Sequence, residues 1–365
     1  MRYAVSLCLA AAVVAAAASL LPAAPAQQQK NDLLLLPAEH TGKASSSMLL
    51  DVANAGKRLV AVGERGHVVY SDDNGGTWAQ AAVPVSVTLT AVSFPTPEKG
   101  WAVGHDGVVL HTSDGGKTWA KQLDGSRVNG LVLAQVEKVL AAKKAEHGDP
   151  NAIKSLESFR KDAAAAVEEG PSRPFLDVWF RDEREGLVVG AFGMILRTED
   201  GGGTWTPILD RIDNLDGLHY YAICQAGPAL FLAGEAGMLF RSDDFGANWA
   251  RQKPPYEGSY FGLAANKTAT VAFGLRGRAV RSVDGGRSWE LVTTPSASAL
   301  SGGRAFSDGS LWLVGSDGAV LRSTDGGKTF SVRGYRFEGA VGVEEAADGS
   351  VVLFGTKGVK RIHKE

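Results

Sequence analysis

One turn occurs six times in this chain, and that repetition constrains the fold more than any other feature. Its copies run Ser71 to Trp78, Thr112 to Trp119, Thr198 to Trp205, Ser242 to Trp249, Ser282 to Trp289 and Ser323 to Phe330. Each fits Ser/Thr-x-Asp-x-Gly-x-Thr/Ser/Asn-Trp/Phe. The aspartates are Asp73, Asp114, Asp200, Asp244, Asp284 and Asp325, and the glycines two positions later are Gly75, Gly116, Gly202, Gly246, Gly286 and Gly327. Upstream of every copy stands a Gly-x-x-Gly after a hydrophobic residue, as in Val62-Gly63-Glu64-Arg65-Gly66. A seventh, Phe354-Gly355-Thr356-Lys357-Gly358, has no later turn of this kind.

The aspartates recur every 40 to 45 residues or so, apart from one longer interval. Each unit reads as four short strands: an apolar strand, one ending at Gly-x-x-Gly, a third, the Asp turn, and a strand opening at the aromatic residue. Four antiparallel strands per unit of this length is a propeller blade. The expected fold is all-β: a seven-bladed β-propeller over residues 27–365. Its seventh blade is completed by an N-terminal strand, Leu33 to Leu36, which closes the ring and removes an exposed edge.

The long interval carries the chain's helical text. Val132, Val136, Val139 and Leu140 recur at helical spacing, Gly148-Asp149-Pro150 makes a turn, and Ile153, Leu156, Phe159, Ala163 and Val167 repeat the period before Gly170-Pro171 stops it. An α-helical hairpin is therefore expected at 126–172, between blades two and three, either as a face packed on the propeller or as a partner-binding arm.

Residues 1–26 read as a signal peptide, with Arg2, an apolar run from Ala4 to Leu21 and the small-x-small Ala24-Pro25-Ala26. Cys8 lies near the start of that run, not after it, and is not a lipoprotein cysteine. Cleavage would leave Cys224 alone, so no intrachain disulfide is expected. The chain is expected to be exported and periplasmic, soluble after cleavage and a monomer in isolation. A formal net charge of −2 gives no reason to expect nucleic acid.

The turn explains itself structurally: aspartate accepts backbone N–H groups, glycine allows positive φ, the hydroxyl residues satisfy main chain, and the aromatic packs between strands. Ser71, Thr112, Thr198, Ser242, Ser282 and Ser323, with Trp78, Trp119, Trp205, Trp249, Trp289 and Phe330, are read as staples. No metal or cofactor is expected. Asp72-Asp73-Asn74-Gly75 lacks the rest of a calcium loop, and the histidines show no close ligand pair.

The turn is similar to the Asp-box, or BNR, repeat of sialidases, sortilin-type receptors and some glucan hydrolases. With Gly-x-x-Gly and the strand arginines Arg197, Arg241, Arg281 and Arg322, it most resembles the photosystem II stability and assembly factor family. That resemblance implies a seven-bladed propeller that binds a membrane-protein complex during assembly without catalysis. Exported non-photosynthetic relatives accompany, in some cases, RND-type transporters. The helical hairpin and the leader depart from the photosynthetic members.

The rival class is a sialidase-like glycoside hydrolase, and a glycan-binding module is a third. No Arg-Ile-Pro segment opens an arginine triad, and carboxylates meeting across the ring would come from Glu64, Asp106, Glu235 and Asp317. In a propeller the Gly-x-x-Gly turns and the hairpin share the top face, opposite the Asp boxes. The candidate partner-binding residues there are Glu64, Arg65, His105, Asp106, Phe192, Glu235, Leu275, Arg276, Asp317 and Lys357. Tyr220, Tyr221, Tyr256, Tyr260, Tyr335, Arg336 and Phe337 join them from the connections between blades. The strand arginines, with Arg361, are read as structural ties in preference to a positive client patch.

Overall fold

The computed structural model describes residues 32–362, and the signal-peptide expectation lies outside them. From Leu33 onward the chain forms seven consecutive antiparallel sheets. Six have four strands in sequence order. The second comprises Leu89–Ser93, Gly100–Gly104, Val109–Thr112 and Ala120–Leu123. The first strand of every sheet lines one central cavity of about 600 Å³. Second strands are buried along nearly their whole length, as in Gly186–Gly190 and Ala229–Gly234, because both faces lie against neighbouring sheets.

Adjacent sheets are joined by one repeated contact. The Asp-box glycine sits over the second strand of the sheet before it at Gly116 over Val60, Gly246 over Leu187, Gly286 over Phe231 and Gly327 over Val271, while Gly202 meets Gln122 of the fourth strand and its neighbour Gly201 approaches Trp101. At Gly286, φ is +86° and an added Cβ would lie 2.4 Å from the Phe231 ring, so only glycine fits. Trp101 goes further and donates its indole N–H to the Gly201 carbonyl at 3.3 Å. Gly75 meets Val352 in the same way, and Ala44, Leu49, Val52 and Leu59 of the N-terminal side share a core with Ala346, Val352 and Phe354 of the seventh sheet.

The seventh sheet differs from expectation. It has three strands, Ala340–Glu345, Val351–Gly355 and Gly358–Ile362, and among the described residues no fourth. Leu33 to Leu36 forms a turn, not a strand. Its carbonyls are taken elsewhere: Ser86 N–H donates to Leu33 O at 2.8 Å, the Ser86 hydroxyl to Leu36 O at 2.9 Å and Lys121 Nζ to Leu34 O at 3.1 Å. Pro37 brings no N–H to a ladder. Between the sixth and seventh sheets, where no Asp-box glycine arrives, Trp312 stacks on Phe306 (4.9 Å) and on Tyr335 (6.3 Å) and donates to the Ser310 hydroxyl at 2.8 Å.

The hairpin is present as α1 (Gly125–Ala145) and α2 (Pro150–Glu169), with the Asp149 carboxylate capping α2 through Asn151 N–H. Val128, Val132, Val136, Leu140, Leu156, Phe159 and Ala163 enter the same core as Phe175, Trp205 and Met194. Buried Asn129 crosses between the helices, donating to Ala166 O at 2.7 Å and Gly170 O at 3.1 Å. The hairpin is thus part of the core of the second and third sheets. Val167 is 45% exposed, outside that stripe.

Candidate functional site

Each Asp box folds around its own carboxylate. In the first copy Ser71 Oγ donates to Asp73 Oδ1 at 2.8 Å and accepts Gly75 N–H, while Thr77 N–H and Oγ1 donate to the two Asp73 oxygens at 2.8 Å. The same bonds recur around Asp114, Asp200, Asp244, Asp284 and Asp325, with Asn248 Nδ2 replacing the hydroxyl in the fourth copy. The Thr77 backbone N–H, then the Ser71 and Thr77 hydroxyls, hold the Asp73 carboxyl down at about 2. A carboxylate so fully engaged with its own turn is a structural element.

The strand arginines are engaged as well. Arg197 pairs with Glu185 and Glu199, Arg241 with Asp243, Arg281 with Glu290, Arg322 with Asp308 and Arg361 with Asp348. Each guanidinium is paired with an acid, the arrangement of a tie.

On the opposite side, four of the seven Gly-x-x-Gly turns are single 3-10 turns whose middle residue is left-handed: φ is 55° at Arg65, 56° at Asp106, 57° at Phe192 and 58° at Arg276. The hairpin leaves from this side, since a Cβ on Gly107 would fall 2.8 Å from Gly125 Cα. Arg65, His105, Phe192, Leu275, Arg276, Asp317 and Lys357 are exposed there. Glu64 and Glu235 serve the turns: Glu64 Oε1 accepts Met48 N–H at 3.0 Å and Glu235 Oε2 accepts His219 N–H at 3.1 Å. Asp317 receives Arg336, and Lys357 pairs with Glu338. Asp106 is half-buried.

The tyrosines divide. Tyr220 and Tyr260 are completely buried between sheets, so the contact expected of Tyr220 is corrected to packing. Tyr256 donates its hydroxyl to Leu275 O and rests on Tyr260, while Tyr335 belongs to the Trp312 stack. Tyr221 is half-exposed and lines the central cavity. Strand parity accounts for the split. Tyr220 and Tyr260 occupy the first position of their inner strands, where Leu49, Leu89, Phe175 and Leu300 are buried as well.

The cavity holds charges that sequence inspection passed over. Asp51 accepts Val52 N–H and, from the next sheet, Val92 N–H at 2.9 Å. Asp177 does the same with Val178 and Ile223, the latter at 2.7 Å. Arg304 pairs with Glu344 at 2.7 Å and donates to Val52 O at 3.1 Å. Burial raises the Asp51 carboxyl to about 6, and burial with the nearby Asp51 charge raises Asp177 to about 7. The Arg304 side chain is nonetheless 44% exposed, so water enters the cavity. Burial also raises the Cys224 thiol, to about 11, which keeps it protonated at neutral pH. Among the described residues no cluster of His, Cys, Asp and Glu is arranged to hold a metal ion.

A second hollow of about 710 Å³ lies between α2 and the propeller, bordered by Ser155, Ser158, Asp162, Arg173, Phe192 and Asp216. Arg173 stacks on Phe192 at 4.6 Å.

The family model described as photosynthesis system II assembly factor YCF48 matches residues 43–134 and 163–310. This chain belongs to that family. The match skips 135–162, the distal part of the hairpin, and covers the start of α1 and the end of α2. A curated relative, photosystem II assembly lipoprotein Ycf48 of Synechococcus sp. (strain CC9902), is 32% identical over 158 residues, covering 42% of this chain and 47% of that protein. The chain thus spans about half the length of that relative. Among solved structures, YCF48 bound to D1 peptide superposes with a TM-score of 0.61 at 16% identity, covering 90% of this chain and 100% of that one. YCF48 from Cyanidioschyzon merolae gives 0.60 at 17%, covering 90% and 98%. The WD40 β-propeller domain of Doa1 gives 0.59 at 10%, covering 91% and 97%. These likenesses establish the propeller architecture. No helix among the described residues is long and apolar enough to cross a membrane.

Proposed function

We propose that this chain is a non-catalytic assembly factor, exported to the periplasm, that holds a segment of a membrane-protein subunit on the face carrying the Gly-x-x-Gly turns. Membership of the YCF48 family carries this reading, through a match on both sides of the hairpin. A relative of the same architecture was solved with a peptide of D1, so a peptide is the form in which a client is expected here. The side-chain chemistry agrees. Asp boxes and strand arginines are consumed by the fold, and three of the four carboxylates considered for hydrolysis serve it too: Glu64 accepts Met48 N–H, Glu235 accepts His219 N–H and Asp317 pairs with Arg336. The RND-type transporter is the specific client implied by the non-photosynthetic branch.

The test is crosslinking and affinity purification of the tagged full chain from its native envelope. Recovery of one membrane-protein complex, a transporter or another, is the expected result. Recovery of none sinks the reading, and a screen for glycan binding and hydrolysis then addresses the alternatives.

A further inference from the structure

The groove under the hairpin and the central cavity are joined by a run of rings. Phe192 lies 5.1 Å from His219, His219 6.2 Å from Tyr221, and Tyr221 5.5 Å from Phe261, centroid to centroid. Phe192 borders the groove, and Tyr221 and Phe261 line the cavity. None of the four is buried, and Phe192 is 45% exposed. The run is confined to one arc. Where Tyr221 and Phe261 stand in their inner strands, the other sheets have Leu50, Thr90, Leu176, Ser301 and Val341. Where Phe192 stands in its turn, others have Arg65, Asp106 and Arg276. Water-exposed aromatic faces in line are a contact surface more than a packing device.

Carboxylates outnumber cations along this path. Asp162, Glu169 and Asp216 border the groove and Glu235 flanks His219, while Asp51 and Asp177 in the cavity, raised by burial, add partial negative charge at neutral pH. The fixed cations on the path are Lys154, Arg173 and Arg304. Arg173 is spent on Phe192 and the Asp162 carbonyl, and Arg304 on Glu344. Carboxylates flanking aromatic faces favour cations, which gain from both. The rail spans at most about 17 Å, the reach of roughly five extended residues.

We infer that groove and cavity are the two ends of one track for an extended, cationic peptide segment of a partner protein. Its apolar side chains lie on Phe192, His219, Tyr221 and Phe261, and its lysines or arginines face the flanking carboxylates. This rests on the reading that the chain holds a client segment. It assigns that segment a chemistry and a place, and one wall of the place is the hairpin stretch that the family pattern skips.

The full chain is titrated by fluorescence anisotropy into two dye-labelled eight-residue peptides. One alternates lysine with phenylalanine and leucine, and the other has glutamate for lysine. The lysine peptide is expected to bind at least about tenfold tighter, with the gap closing at high salt. Phe192→Ala and Tyr221→Ser are each expected to weaken it about tenfold. Val283→Ser, at an exposed position beside an Asp box on the other face, leaves it within about twofold. Equal affinity for the two peptides, or full binding by both rail variants with their circular dichroism unchanged, overturns the track. If the purified membrane complex is recovered by wild type and rail variants alike, the track is wrong while the assembly role stands. If wild type recovers no complex but the peptide results hold, the assembly role fails instead.

Discussion

Arg304 of the sixth sheet donates to the carbonyl of Val52 in the first at 3.1 Å, passing over the seventh sheet, whose Glu344 it pairs with at 2.7 Å. Asn54 of the first sheet adds a bond to Glu345 O of the seventh at 3.0 Å. The first and the seventh sheets are therefore linked through the cavity wall, and not by an outermost strand from Leu33 to Leu36. Glu344 is only 7% exposed, so removing its partner leaves a carboxylate away from water. Because water reaches Arg304, the expected cost of Arg304→Ala is moderate, about 2 kcal/mol. Urea denaturation checks it, and Arg304→Ala/Glu344→Gln should recover part of the loss. An unchanged midpoint for Arg304→Ala would show that the link contributes nothing.

Asp177 gives the cavity a pH dependence of defined sign. Its carboxyl is raised to about 7, above its value in an unfolded chain, so the folded state holds the extra proton. Its contribution is greatest below about pH 4 and is lost as pH rises toward 7. Asp51, at about 6, acts in the same direction. Stability should therefore decline between about pH 4 and 7, and Asp177→Asn should flatten the decline. A variant with the wild-type slope would remove Asp177 from the account.

The Asp boxes act at the other end of the scale. Asp73 is held near 2 by Thr77 and Ser71, so its contribution is present above about pH 4 and is lost as pH falls toward 2. Asp114 binds Thr112 Oγ, the N–H groups of Lys117 and Thr118, and Thr118 Oγ1. Asp114→Ala should cost about 1–2 kcal/mol in chemical denaturation while leaving client binding on the far face intact. Loss of client binding without loss of stability would give the boxes a functional role.

Excision of the hairpin is expected to damage the fold. Val128, Val136 and Phe159 share a core with Phe175 and Trp205, so deleting residues 127–169 uncovers apolar surface of the second and third sheets. Phe159→Ala alone should cost about 3 kcal/mol, read as a lower thermal midpoint. A deletion variant as stable as the full chain would mean that the hairpin rests on the propeller without supporting it.

The repeat was legible because it is local. Ser71, Asp73, Gly75 and Thr77 satisfy one another within seven residues, and the same text recurs with the same geometry in every copy. The hairpin was legible for a similar reason, since Val132, Val136 and Leu140 mark one helix face and all three are buried. What failed depended on distant partners. Nothing near Leu33 to Leu36 signals that Ser86 and Lys121 hold its carbonyls. Aligning the inner strands of the units would have shown Tyr220 to be buried and Tyr221 to face the cavity. Asp51, Asp177 and Arg304 stand at positions filled by small residues in most other units, and that irregularity was the available sign of a charged cavity.

The contact between an Asp-box glycine and the second strand of the preceding sheet makes a unit the lid of its neighbour. Five joints follow this rule, and at a sixth Gly202 meets Gln122 while Gly201 approaches Trp101. The seventh, at Trp312, Phe306 and Tyr335, substitutes aromatic bulk for the absent turn. Excising a single unit therefore leaves one strand uncovered and one glycine with nothing to cover. Units of this kind are interchangeable in text but not separable in space, and the aromatic joint breaks the periodicity of the seven sheets most sharply.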